Sequence, residues 1–132
     1  MNATPAPRRS VGRIIVAVLF ALLAANAFQE VFFSDSPPAL RALQAVVGAL
    51  GAATAWGAWT GARWSAALAT LYGLVAAGMV VSLGSLLDMP VEERGGLWIG
   101  GVVILVFSLA CAWYLRRATR PAPTDSSPAA VD

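Results

Sequence analysis

Residues 24–44 read AANAFQEVFFSDSPPALRALQ. An apolar segment ends, a polar turn follows, and a second apolar segment begins. Asn26, Gln29 and Glu30 interrupt the first segment, and Arg41 and Gln44 interrupt the second. The turn SDSPP at 34–38 has the chemistry of a helix start: Ser36 suits an N-cap, and Pro37 suits the first helical position, where no backbone N–H is missed. The stretch therefore predicts two helices folded against each other, with a few polar side chains near their shared end.

The rest of the chain places that hairpin in a membrane. Of its 132 residues, 58% are hydrophobic and only 12% charged. Soluble domains average about 45–50% apolar and about 25% charged. The apolar residues fall in blocks at 14–33, 39–59, 64–87 and 97–115, each near the roughly 20 residues that a spanning helix needs. The expected fold is an all-α membrane protein, a four-transmembrane-helix bundle running up-down-up-down. Residues 1–13 read as a disordered basic tail and 116–132 as a disordered Pro- and Ser-containing tail too poor in apolar residues to fold. The first block also fits a signal peptide, with Ala25-Asn26-Ala27 as an A-x-A cleavage site. Apolar character resumes at Phe28 and continues to Phe33, which favours a retained span.

Within the second block, Ala45, Ala49, Ala53, Gly57 and Gly61 recur every four residues. The third block has its own row in Ala69, Gly73 and Ala77. Helices in lipid associate by close packing, and such rows let backbones approach. The turn TGAR at 60–63 forces the second and third segments into a hairpin. Residues 88–96, DMPVEERGG, form the other long connection. Pro90 followed by Glu92 and Glu93 there resembles a helix start, with acids set against the N-terminal dipole.

All nine basic residues are Arg. Arg8, Arg9, Arg13, Arg63, Arg116, Arg117 and Arg120 fall on one side of a four-span thread, and only Arg41 and Arg94 on the other. The positive-inside bias makes both termini cytoplasmic. Trp56, Trp59, Trp64, Trp113 and Tyr114 gather at the expected inner boundary and Trp98 at the outer one, where amphipathic rings prefer to sit. The expected location is a plasma membrane, of the bacterial inner-membrane kind.

In an antiparallel hairpin with Phe33 level with Pro38, Glu30 faces Arg41 about 5 Å below the outer boundary, and Asn26 or Gln29 faces Gln44 about 10 Å below it. The bland expectation is a clamp that fastens the hairpin while its ends snorkel to the surface. The sharper one is a ligand or ion site, since ionisable groups at membrane depth are rare and usually functional. Tyr72, in the third segment, needs a partner or water for its hydroxyl and reads as a packing residue.

Other chemistry is thinly represented. Cys111 is the only cysteine and histidine is absent, which removes internal disulfides, multi-cysteine metal sites and the commonest general base. There is no nucleophile–base pair, phosphate loop or metal-ligand spacing, so catalytic, cofactor and metal sites are read as none. The leading expectation is a non-enzymatic accessory or structural subunit. Its partners would be lipid and other membrane proteins, or copies of itself, and not nucleic acid. A small oligomeric transporter or channel using Glu30 near the outer face is the first alternative, and a quinone-linked redox protein the second.

Overall fold

The computed structural model describes residues 10–120. It contains helices α1 (Val11–Phe33), α2 (Pro38–Thr60), α3 (Ser65–Leu86) and α4 (Arg94–Ala118), with one 3₁₀ turn at Val91–Glu93 and no strand among these residues. Each of the four helices is long and apolar enough to cross a membrane. At 1.5 Å per residue, the 23 residues of α1 extend about 35 Å, enough for a hydrocarbon core of about 30 Å.

Helix boundaries differ from the sequence reading where polar residues continue a helix beyond its apolar block. α1 starts at Val11 rather than at 14, which puts Arg13 on the helix instead of in the tail. α4 runs on to Ala118, carrying Arg116 and Arg117 in its last turn. Residues 1–9, with Arg8 and Arg9, and residues 121–132 lie outside the described part of the chain. Pro38, not Pro37, opens α2, and Ser36 does not cap it: its hydroxyl pairs with that of Ser34 at 2.8 Å.

α1 packs closely on α2, and α3 on α4. The two hairpins meet mainly through α2 and α3, while α1 and α4 barely touch. Small residues make these approaches. α2 buries Gly48, Gly51, Thr54, Gly57 and Ala58, and α3 buries Ala66, Ala69, Gly73, Ala76 and Ala77. On α2 the packed face is therefore rotated from the expected row: Ala49 is exposed and Ala53 half-buried. Alanine is so frequent on this helix that spacing alone could not single out its inner face. Large apolar side chains such as Leu22, Leu74, Val103 and Trp98 point outward. That inversion suits lipid, which solvates Leu as well as a protein core does.

The end of the bundle that holds Gly61 is tightly closed. Gly61 ends α2 at φ 75°, a left-handed conformation in which glycine is unstrained. The Ala62 N–H then returns to the Gly57 carbonyl at 2.9 Å. Across from it, Arg13 of α1 donates from Nε to the Ala58 carbonyl at 3.1 Å and from Nη2 to the Trp59 carbonyl at 3.3 Å. These are last-turn carbonyls with no intrahelical partner. Arg13 thus acts as a C-terminal cap supplied by a neighbouring helix. On α4, the Arg117 guanidinium lies 3.8 Å over the Trp113 ring, a cation–π contact.

Candidate functional site

At the other end, near Pro37, the two hairpins part. Between them lies a partly enclosed cavity of about 190 Å³. All four helices line it: Asn26 and Glu30 from α1, Gln44 and Val47 from α2, Tyr72, Ala76 and Met79 from α3, and Ile104 from α4. Asn26 and Glu30 are exposed, whereas Gln44 and Tyr72 on the facing walls are buried. The cavity therefore opens along α1, where α1 and α4 separate. Phe20 lies one turn beyond Leu23 on α1. The Phe20 ring meets Tyr72 edge-on at 5.1 Å between centroids, with Phe107 behind it at 6.4 Å.

The polar atoms of this cavity are unmet. Gln44 is only 9% exposed, and its Oε1 has no hydrogen-bond partner among the described residues. Leaving a buried amide unsatisfied costs about 1–3 kcal/mol, so an apolar residue would serve packing better at this position. The side chains of Asn26, Glu30 and Tyr72 also make no hydrogen bond or ion pair within the described residues. Glu30 takes part in the nearby turn only through its backbone carbonyl, which accepts from the Ser34 hydroxyl.

The expected polar cluster is thus divided. Asn26, Glu30 and Gln44 come together around the cavity; Gln29 and Arg41 do not line it and are exposed. No ion pair joins Glu30 to Arg41, and the expected hairpin clamp is not formed. Equal height on adjoining helices placed them level, but α1 turns Glu30 toward the cavity and α2 turns Arg41 away from it. Tyr72, read from the sequence as a packing residue, was not grouped with this polar cluster, yet it lines the cavity. Its signal was present: Ala69, Tyr72, Gly73 and Ala76 follow i, i+3, i+4, i+7 spacing, so the phenol shares the packed face of α3.

Elsewhere, hydroxyls are mostly satisfied by their own helices. Thr54, Thr60, Thr70 and Thr119 donate to carbonyls one turn back. Ser108 is an exception: it is fully buried against Gly73, with its Oγ unpartnered. Ser82 and Ser85 form no such bond and line a shallow groove with Val46 and Leu86. Cys111 is a buried free thiol. No cluster of three metal-ligating side chains converges among the described residues. Compared with known proteins, the chain matches no family model, no curated protein and no solved structure.

Proposed function

We propose that this chain is a small, non-enzymatic integral membrane protein that binds a small polar solute in the cavity between its two hairpins, as a carrier or a solute-binding subunit. The observation that carries this reading is the unpartnered, buried amide of Gln44 in a partly open cavity that Glu30 also lines. Polar and ionisable groups at membrane depth are costly, and a ligand would repay that cost. The Arg distribution supports a Pro37 end outside and both termini in the cytoplasm of a plasma membrane, so the solute would enter from the outer side. Reporter fusions after Arg63 and Arg120 should then behave as cytoplasmic, and one after Asp35 as external. Binding is tested by thermal unfolding of the purified protein with a panel of small polar solutes. At least one solute should raise the Tm of the natural chain and leave an Ala76→Phe variant, with its cavity filled, unmoved. A panel that moves neither protein contradicts the reading.

A second reading keeps the protein as an accessory subunit, alone or in copies of itself, that docks other membrane proteins. Its support is a shallow apolar groove of about 620 Å³ between α1 and α2, lined by Ala21, Ala25, Ala52 and Ala55 beside Trp56 and Trp59. Small residues there leave room for a helix or an acyl chain. Crosslinking in the native membrane from position 52 separates the readings: a discrete protein adduct favours docking, and lipid adducts alone favour the solute-binding protein.

A further inference from the structure

We infer that the cavity takes a small organic monocation, an ammonium group carrying a short apolar body, with the charge at Glu30 and the apolar part toward Tyr72. This rests on the solute-binding reading and names its substrate class. Three observations carry it. Among the described residues, Glu30 is the only Asp, Glu, Lys or Arg that lines the cavity, and no ion pair joins it to Arg41, so the charge of the lining is negative. The remaining polar groups are the Asn26 and Gln44 amides and the Tyr72 phenol. These can orient an N–H donor, and none of them repels a cation. Leu23, Ala27, Val47, Ala76, Met79, Val80 and Ile104 form the rest of the wall, an apolar surface that a hydrated metal ion would not fill.

Size and shape narrow the ligand further. The volume of about 190 Å³ is below the roughly 300–1,000 Å³ of drug-sized sites, so the body must be short. A bare metal cation would need several oxygens converging on one point. Glu30 and Tyr72 instead lie at opposite ends of the cavity, Glu30 toward the Pro37 turn and Tyr72 beside Phe20. The Tyr72 ring in the lining suits an apolar body or an alkylammonium edge. The mouth opens along α1 at membrane depth, so an ammonium could arrive as a free amine or as a lipid headgroup.

The test is calorimetric titration of the full chain in nanodiscs of phosphatidylglycerol, which lacks an amine, with empty nanodiscs as the baseline. The probes are n-butylammonium, 1-butanol and butyrate, which share a body and differ in charge. Butylammonium should bind about tenfold or more tightly than butanol, the difference between a charge-assisted and a neutral contact, and butyrate should not bind. Glu30→Gln should remove that preference. Phosphatidylethanolamine added to the discs should compete if the lipid headgroup is the source, and should not if the source is a free amine; either result supports the ammonium assignment. Equal binding of butanol and butylammonium overturns the charge assignment and leaves the solute-binding reading in place. If no probe binds, and an Ala76→Cys variant also resists a water-soluble thiol reagent, both fail together. No binding by a cavity that does react with the reagent rejects the ammonium assignment alone. The charge series on the unaltered protein decides the matter even if Glu30→Gln does not fold.

Discussion

At the Gly61 end of the bundle, Arg13 lays its guanidinium on two carbonyls of α2. At the Pro37 end, Glu30 and Arg41 stand exposed with no ion pair between them. The same four helices therefore handle polar atoms in two ways. Where glycine lets the helices close, Arg13 and the hydroxyls of Thr60, Ser65 and Thr119 find backbone acceptors. Where the hairpins part, the Gln44 amide has no partner. The α3–α4 turn shows that the Pro37 end is not merely loose, because Arg94 there donates from Nε to the Met89 carbonyl at 3.0 Å and packs over Gly84. The cavity lies in the seam between the hairpins and holds the unmet Gln44 amide, whereas the unpartnered Ser108 hydroxyl is packed between α3 and α4.

The largest effects should come from closing glycines. A Cβ at Gly73 would collide with Ser108, and one at Gly57 would lie 2.8 Å from the Ser65 Cβ and within 3 Å of the Trp64 ring. Gly73→Leu or Gly57→Leu should cost upward of about 1–3 kcal/mol by overpacking and lower the Tm in detergent sharply. Gly78 and Gly95 have open space around that position. Their replacement by Ala should be neutral or stabilise by about 0.5–1 kcal/mol. If the four glycines behave alike, the contrast between closed and open regions is wrong.

Arg13→Ala comes next. Removing a charged donor from the carbonyls of Ala58 and Trp59 should cost about 1.5–3 kcal/mol if the site is shielded, and less to the extent that water replaces the guanidinium. Gly61→Ala should be comparably costly, since a left-handed φ opposes a Cβ by about 1–2 kcal/mol and that Cβ would also displace Arg13. Chemical denaturation in mixed micelles reads both. An Arg13→Ala protein as stable as the natural one would remove the helix-capping role.

Gln44 should show the opposite sign. Gln44→Leu replaces an unpartnered buried amide with an apolar group of similar size and should be neutral or stabilise by about 1 kcal/mol in the absence of ligand. A loss above that size would mean that the amide has a partner. The smallest effect is expected of Glu30 and Arg41. Glu30→Gln and Arg41→Gln should combine additively to within about 0.3–0.5 kcal/mol, as independent sites do. Clear coupling in the double-mutant cycle would restore the clamp.

Much of this architecture was legible in the amino-acid order. Apolar blocks, proline starts and the Thr60–Arg63 turn mark four helices because bilayer thickness imposes a length and turns impose their own chemistry. The outer polar cluster was legible in part. Helical spacing groups Asn26 with Glu30, but rotation about the helix axis decides whether Glu30 faces Arg41 or a cavity, and no local rule fixes that rotation. Alanine at nearly every turn of α2 hid which face is packed. Arg13 read as a topology signal because its acceptors, Ala58 and Trp59, lie far away in the chain. Tyr72 read as packing, which its contact with Phe20 bears out; its place in the cavity wall depends on three other helices.

The most direct test of the contrast is thiol accessibility at two equally buried alanines of α3. Ala76 lines the cavity and is 3% exposed; Ala69, two turns nearer the Gly61 end, is 0% exposed. In a Cys111→Ala background, Ala76→Cys and Ala69→Cys variants are treated in membranes with a charged, water-soluble methanethiosulfonate reagent. A cationic reagent should modify position 76 readily, faster than an anionic one of the same size, while position 69 stays protected. Equal protection of both positions would contradict a hydrated cavity between the hairpins.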